Sequence, residues 1–199
     1  MANSGKIAQK IPIRPSKAQA AAFERCFGER RLAYNSQVAA FDSYDAESNP
    51  DPSYPGVSEL KAANPWMAGS PMPSNALSNA IMDFRKARSA YFRAGSPSEN
   101  RPRFKSKRDA VQSFRNSMPI RRMEGRRYPL SRKLGSVKIP KRDPLRFPIS
   151  ALSSWTVKRE GAKYYLVLLF DAEPAPLPPA SGEVGIDLGV KDLMVLSTG

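Results

Sequence analysis

The spacing of apolar residues changes twice along this chain, and these changes constrain the fold more than any other feature. Residues 6–13 alternate between apolar and polar positions, as in a strand with one buried face. Apolar residues then recur at helical spacing from Ser16 to Phe41 and again over residues 77–91. Short alternating segments separated by turn residues follow. The order predicts an α+β fold in which two mutually packed helices interrupt a set of antiparallel strands.

The strand segments are expected to close into a small β-barrel, which the segment 6–13 joins. Pro12 cannot donate a ladder hydrogen bond, so the end of this segment is predicted to lie at a sheet edge. A hairpin turning at Glu160-Gly161 joins residues 155–159 to residues 163–170. The second arm is apolar on both faces, which predicts a central strand. Residues 114–120 place apolar side chains at one parity, and Glu124-Gly125 forms a turn.

Shorter sequence patterns predict where the helices begin and end and what anchors them. Ser16 and Gln19 have the spacing of a capping box at the start of the first helix. Ser74 is expected to cap the second long helix, which ends near Gly95. Leu60 and Trp66 are expected to anchor a short helix between the two.

Positive charge is concentrated in one part of the chain. The net charge of the whole chain is +14, whereas residues 85–146 contain 20 Lys and Arg against four Asp and Glu. The remainder is therefore slightly acidic. A solvated face is one explanation, but aromatic residues such as Phe104 lie among the charges, which favours a nucleic-acid partner.

Histidine and cysteine usage excludes several kinds of site. The chain has no histidine and one cysteine, Cys26, so a zinc site, a histidine-based catalytic triad and an internal disulfide are excluded within it. A reducing compartment is the simpler interpretation. We find neither an apolar run of membrane-spanning length nor a signal-peptide core, and expect a cytoplasmic, nucleoid-associated protein that does not enter a membrane.

Residues 183–199 predict a strand, a tight turn and a second strand, with Asp187 near the end of the first. A carboxylate there, with Gly189 leaving space beside it, suits a divalent cation that also contacts phosphate. RNase H-like nucleases present their first catalytic Asp in this way. Sugar kinases and chaperone ATPases share the Asp-Leu-Gly turn but usually continue with Thr or Ser, whereas Val190 and Lys191 follow here. A buried strand with an acid at its rim is a further alternative.

Six weak motifs in a consistent order resemble TnpB, the transposon-encoded RNA-guided nuclease related to type V CRISPR effectors. In chain order the resembling segments are Ile11-Pro12-Ile13-Arg14-Pro15; Gly28, Arg31, Tyr34 and Asn35; Trp66 with Ala76-Leu77, Phe84 and Tyr91-Phe92; Pro102-Arg103-Phe104-Lys105-Ser106-Lys107; Leu134-Gly135-Ser136-Val137-Lys138; and Gly185-Ile186-Asp187-Leu188-Gly189-Val190-Lys191 with Leu196-Ser197-Thr198-Gly199.

The resemblance implies a wedge-type β-barrel, an inserted helical recognition lobe and the first hairpin of an RNase H-like (RuvC) domain. The corresponding ranges are 1–14 for the first wedge strand, 15–98 for the lobe, 99–173 for the rest of the barrel, 174–183 for a proline-rich linker and 184–199 for the start of RuvC. It implies guide RNA and target double-stranded DNA as partners, and Asp187 as a catalytic ligand of Mg²⁺ in a complete RuvC domain.

Two features depart from the family. Ser131-Arg132-Lys133 stands where the family usually has Pro-Lys, and the sequence ends after the first RuvC hairpin, without the later catalytic acids or the zinc ribbon. We therefore expect this chain alone to bind nucleic acid without cutting it. A nuclease-dead regulator or remnant is the alternative, and a fragment of an ATPase or sugar-kinase fold is a weaker one.

The candidate nucleic-acid contacts come from both the helices and the basic segment. On the helices, Asn35 has an amide that could read an adenine edge, or could simply bond within its own helix. The complete set is Arg31, Tyr34, Asn35, Arg85, Arg88, Arg103, Phe104, Lys105, Lys107, Arg108, Arg121, Arg122, Arg126, Arg127, Arg132, Lys133 and Lys138.

Overall fold

The computed structural model describes residues 5–45, 47–95 and 97–172, together with the backbone of two short strands near the C-terminus. Three α-helices and two antiparallel sheets make up the main part, which is a mixed α+β fold. In chain order the elements are β1 (Lys6–Ile13), α1 (Lys17–Asp42), α2 (Val57–Ala63), α3 (Ser74–Arg93), β2 (Val111–Asn116), β3 (Arg127–Ser131), β4 (Gly135–Lys138), β5 (Leu152–Glu160), β6 (Lys163–Asp171), β7 (Gly185–Asp187) and β8 (Val195–Ser197). Short 3-10 turns at Pro65–Met67, Ser98–Asn100 and Ile149–Ala151 connect them.

The main sheet has four antiparallel strands in the order β1-β6-β5-β2. The edge position of β1, the central position of β6 and the hairpin between β5 and β6 were all predicted correctly. Strand β1 pairs with β6 along its full length, from Lys6 opposite Asp171 to Ile13 opposite Tyr164. The helices lie in the connection from β1 to β2, which are the two edge strands of this sheet.

The predicted closed barrel is wrong. Strands β3 and β4 pair only with each other among the described residues, so the four-stranded sheet keeps two open edges. Strand β2 ends at Asn116, and the predicted continuation to Ile120 fails because Met118 is 74% exposed and Ile120 is 37% exposed. The β3–β4 hairpin instead contributes its apolar side chains to the core, which buries them without joining the hydrogen-bond ladder.

The larger core lies between the inner face of the main sheet, the first half of α1 and the β3–β4 hairpin. Phe114 on β2 is central to it: its ring centre lies 6.0 Å from that of Phe23, 5.6 Å from that of Phe27 and 5.8 Å from that of Trp155. Tyr128 and Val137 from the hairpin are buried in the same cluster. Helix α1 is therefore fixed to the sheet by aromatic packing.

The second half of α1 packs on α3, as the two helical stripes predicted. Tyr34 and Phe41 each place their rings 6.0 Å from Phe84, and Ala33 lies in one cluster with Leu77. Helix α1 has 26 residues, a length of about 39 Å, so one rigid element joins the sheet core to the helical core.

The helix ends agree with the sequence in part. The Ser16 side chain accepts from the Gln19 amide and the Gln19 side chain accepts from the Ser16 amide, which confirms the capping box. Pro73, rather than Ser74, occupies the cap of α3 and makes no side-chain cap bond. Leu60 is buried as expected, but Trp66 is 53% exposed and does not anchor α2.

Strands β7 and β8 pair antiparallel, with Asp187 opposite Val195, so the predicted strand pair is confirmed in its backbone. Asp187 is the last residue of β7, which matches its expected place at a strand end. The turn residues Gly189 and Lys191, the linker 174–183 and the side chain of Asp187 lie outside the described residues.

Candidate nucleic-acid interface

The segment between the last 3-10 turn of the helical part and β2 displays the predicted basic motif on the surface. The side chains of Arg103, Lys105, Lys107 and Arg108 are exposed. Phe104 among them is 55% exposed, which is unusual for a phenylalanine. An aromatic face surrounded by cations matches the combination that proteins use to bind single-stranded nucleic acids. We call residues 101–110 the basic loop.

The basic loop is held by side chains from α1. The Asn35 amide donates to the Lys105 carbonyl at 2.9 Å, and the Lys105 N–H donates to Asn35 Oδ1 at 2.8 Å. Arg101 donates to the Phe41 carbonyl and to Asp42 Oδ1, both at 3.3 Å, and its guanidinium lies 4.6 Å from the Phe41 ring centre. Because these contacts fix the backbone on either side of Phe104, the cations around it start from a defined position.

Gln112 fixes the second half of the loop. Its amide donates to the carbonyls of Ser106 at 2.9 Å and Asp109 at 3.0 Å, and its side-chain oxygen accepts a hydrogen bond from Arg31. Gln112 is only 4% exposed, so these bonds are shielded from water. Partial burial lowers the pKa of Arg31 below its ordinary value. Arg31 was predicted to contact nucleic acid, but its described contact supports the loop from within.

Two other predicted contacts pack against aromatic residues of the helices. Tyr34 is 5% exposed with its ring against Phe84, and burial raises the pKa of its hydroxyl. The Arg88 guanidinium lies 5.4 Å from the Tyr54 ring centre and 5.2 Å from that of Phe92. These side chains support the helices that carry the interface. Arg85, in contrast, is exposed on α3 beside Lys86 and Arg93.

A second group of predicted cations lies on and around the β3–β4 hairpin. Arg127 and Lys138 are register partners on neighbouring strands and both are exposed. Like charges directly opposite each other destabilise a sheet, so a polyanion bound there would relieve their repulsion. The other exposed members of this group are Arg121, Arg122, Arg126, Arg132 and Lys133.

Several of these cations also make contacts within the chain. Arg121 donates to the Leu152 carbonyl at 2.9 Å and Lys133 to the Ser70 carbonyl at 3.0 Å. Arg122 lies 3.6 Å from Glu124, with both side chains more than half exposed. An exposed pair of this kind contributes little to stability and is screened by salt. It therefore leaves Arg122 able to exchange its partner for a phosphate.

Four further exposed cations, which were not predicted from the sequence, lie together with Lys138. They are Arg14, Lys17, Arg142 and Lys163. Three of them lie outside the basic segment, and no local pattern marks them. Only the pairing of β1 with β6 brings the end of one strand beside the start of the other.

Asn35 provides a direct test of the loop geometry. Its amide donates one hydrogen bond to the Lys105 backbone and accepts one from it, so its described contacts hold the loop rather than its own helix. Asn35→Ala should increase amide hydrogen exchange at Lys105 at least tenfold, because its N–H loses its acceptor. RNA affinity should fall by a similar factor for every sequence tested.

Asn35→Asp is the matched control for this experiment. It keeps the acceptor for the Lys105 N–H, replaces the donor by a carboxylate oxygen and adds a negative charge, so protection at the Lys105 N–H should largely remain. Unchanged exchange at Lys105 in Asn35→Ala, with the fold intact, would contradict the clamp. A change in sequence preference without a change in exchange would favour base readout instead.

The described residues contain no cluster of potential metal ligands. Among the described residues, no three His, Cys, Asp or Glu side chains lie close enough together to hold a metal ion. Cys26 is fully buried, and burial raises the pKa of its thiol to about 12, so it stays protonated at neutral pH. Asp187 is the candidate ligand from the sequence, and its side chain lies outside the described residues.

In the described part of the chain, no helix combines the length and the hydrophobicity needed to cross a bilayer. In comparisons with known proteins, no protein-family model matches the sequence, and the search of curated proteins returns no significant match. The exposed cations, their supporting contacts and the order of the sequence motifs therefore carry the functional inference.

Proposed function

We propose that this chain is the guide-RNA and target-DNA binding portion of a TnpB-like RNA-guided endonuclease. The observation that carries the proposal is the basic loop, where Phe104 is 55% exposed among four exposed cations on a backbone clamped by Asn35. The loop coincides with the Pro-Arg-Phe-Lys-Ser-Lys segment that resembles the family. A surface of this kind fits a single-stranded or irregular RNA, whose bases can stack on an aromatic ring.

The arrangement of the elements also supports the proposal. The helical pair lies in the connection from β1 to β2, two strands of one sheet, which is consistent with an inserted recognition lobe. Arg85, Lys86 and Arg93 lie exposed on α3, where the basic part of the sequence begins. In RNA-guided recognition, base pairing reads the target sequence, and the protein binds the phosphate backbones of the nucleic acids through its cations. Such a task needs exposed charge more than shaped base-reading pockets.

Asp187 retains its proposed role as a Mg²⁺ ligand of a complete RuvC domain. Cleavage by two metal ions needs several converging carboxylates, and the described residues contain no group of three potential ligands. The proposal for this chain is therefore binding. A nucleic-acid-binding regulator without nuclease activity would use the same surface, and a kinase or ATPase fragment would leave the basic loop without a role.

Sequencing the RNA that copurifies with the chain tests the proposal. The chain would be produced in cells together with its native flanking DNA, purified, and treated with RNase to trim unprotected RNA. A guide-binding protein should return one discrete RNA species that dominates the recovered pool, because guide recognition depends on RNA shape as well as charge.

The variant Arg103→Gln/Lys105→Gln/Lys107→Gln/Arg108→Gln is the control, and it should lose most of the recovered RNA. Recovered RNA whose composition follows the total cellular pool would contradict guide binding. A discrete RNA whose complex ignores a complementary DNA duplex would favour the regulator.

A further inference from the structure

A groove opens where the end of β1, the start of α1 and the start of β6 meet the loop after β4. Two adjoining cavities form it, of about 700 Å³ and about 300 Å³, and both are lined by Pro12, Arg14 and Arg142. Volumes of this size are typical of ligand clefts. The groove lies outside the basic loop, and only one of its cations, Lys138, belongs to the contacts predicted from sequence.

Five exposed cations line the groove, and they come from separate parts of the chain. Arg14 follows β1, Lys17 begins α1, Lys163 begins β6, Lys138 ends β4 and Arg142 follows β4. Three of them belong to the part of the sequence that is slightly acidic overall. The fold has thus gathered positive charge at one place where the surrounding composition provides little, which raises the local potential.

Two acidic groups on the elements that form the groove are already neutralised by other partners. Glu24 accepts from Arg159 at 2.8 Å and from the Tyr164 hydroxyl at 2.9 Å. Glu160 lies between the ammonium groups of Lys10 and Lys158, and their hydrogen bonds lower its pKa below the ordinary value.

Asp143 lies 3.7 Å from Arg142, and both side chains are substantially exposed. That contact is a weak exposed pair. No acidic side chain is among the residues that line the two cavities in the described part of the chain. The five cations therefore face the groove without an internal counter-charge of comparable strength.

The walls of the groove are stiff and partly aromatic. Pro12, Pro15 and Pro140 line it, and the pairing of Ile13 with Tyr164 fixes the two strand ends relative to each other. Tyr165 is half-buried on the groove, with the Lys10 ammonium 4.1 Å from its ring centre. A rigid basic channel with an aromatic side chain in its wall is the arrangement that follows a single-stranded backbone.

We propose that this groove binds the phosphate backbone of a single-stranded nucleic acid segment. Arg14, Arg142 and Lys163 bind successive phosphates, while Lys17 and Lys138 strengthen the field at the two ends. The proposal rests on the proposed function only in taking nucleic acid as the partner, and it adds a second contact region separate from the basic loop.

The test uses a twelve-nucleotide oligouridine as the probe and measures its affinity between 50 and 300 mM salt. Arg14→Gln/Lys163→Gln removes two phosphate contacts, each contributing about 0.7 to the log–log salt slope on single strands. The slope should become less steep by about 1.4, and affinity at 0.1 M salt should fall about 25-fold. Arg14→Lys/Lys163→Arg preserves the charges and should bind within a few-fold of the unaltered chain.

Lys6→Gln/Lys61→Gln is the charge-matched control, since both residues are exposed and lie outside the groove, the basic loop and the basic face of α3. It should change the slope little. Thermal unfolding of each variant checks that the fold is kept. An unchanged salt slope and affinity in Arg14→Gln/Lys163→Gln would contradict phosphate binding in the groove.

The basic-loop variant separates failure of the groove from failure of the proposed function. If the basic-loop variant weakens binding and the groove variant does not, the groove does not bind nucleic acid and the proposed function stands. If the probe does not bind the unaltered chain at all, both fail. Displacement of the probe by a poly-glutamate peptide at equal charge concentration would also overturn the groove as a nucleic-acid site.

Discussion

Replacing Phe114 by alanine should lower the free energy of unfolding by about 3–5 kcal/mol. The side chain is fully buried, and its ring lies within 6.0 Å of Phe23, Phe27 and Trp155. Because Phe114 belongs to β2 and two of these partners belong to α1, the substitution leaves a cavity at the joint between helix and sheet.

Chemical denaturation followed by circular dichroism measures this loss. Val111→Ala is the matched control, since Val111 lies on the same strand but is 48% exposed. It should cost less than about 1 kcal/mol. A loss below about 1 kcal/mol for Phe114→Ala would mean that α1 does not pack on the sheet as described.

Replacing the four cations of the basic loop by glutamine should weaken binding to single-stranded RNA about 100-fold at 0.1 M salt. We expect about three of Arg103, Lys105, Lys107 and Arg108 to contact phosphates, and each contact contributes about 0.7 log units at that salt concentration. The fold should be unaffected, because all four side chains are exposed and the Asn35 clamp holds the Lys105 backbone rather than its side chain.

Phe104→Leu distinguishes stacking from charge in the same assay. It removes the aromatic face and leaves the four cations, so affinity should fall about fivefold or more while the salt slope stays the same. An affinity of the four-glutamine variant within threefold of the unaltered chain would remove the basic loop from the interface.

Local patterns were sufficient to predict the helices and the main hairpin. The capping box at Ser16 and Gln19 depends on residues three apart, and the central place of β6 follows from a strand that is apolar on both faces. The prediction of a closed barrel was wrong because closure depends on which strand edges pair. The alternation of apolar and polar residues shows which face of a strand is buried but not which edges pair. Met118 continues the parity of β2, yet the chain has already left the sheet at Asn116.

The concentration of positive charge along the sequence predicted one part of the candidate site, the basic loop. The basic loop follows from a segment where cations outnumber acids and aromatic residues interrupt them. The roles of Asn35 and Arg31 could not be predicted, because their partners Lys105 and Gln112 lie 70 and 81 residues away. Arg14 and Lys163 likewise become neighbours only when β1 pairs with β6.

Binding of the unaltered chain to single-stranded RNA across a range of salt concentrations tests the central claim most directly. We expect the cations of the basic loop and the β3–β4 hairpin to make about six phosphate contacts, so the log–log slope should be about −4 or steeper. A slope near zero between 50 and 300 mM salt, or no binding at the lower concentration, would contradict a nucleic-acid interface on this chain.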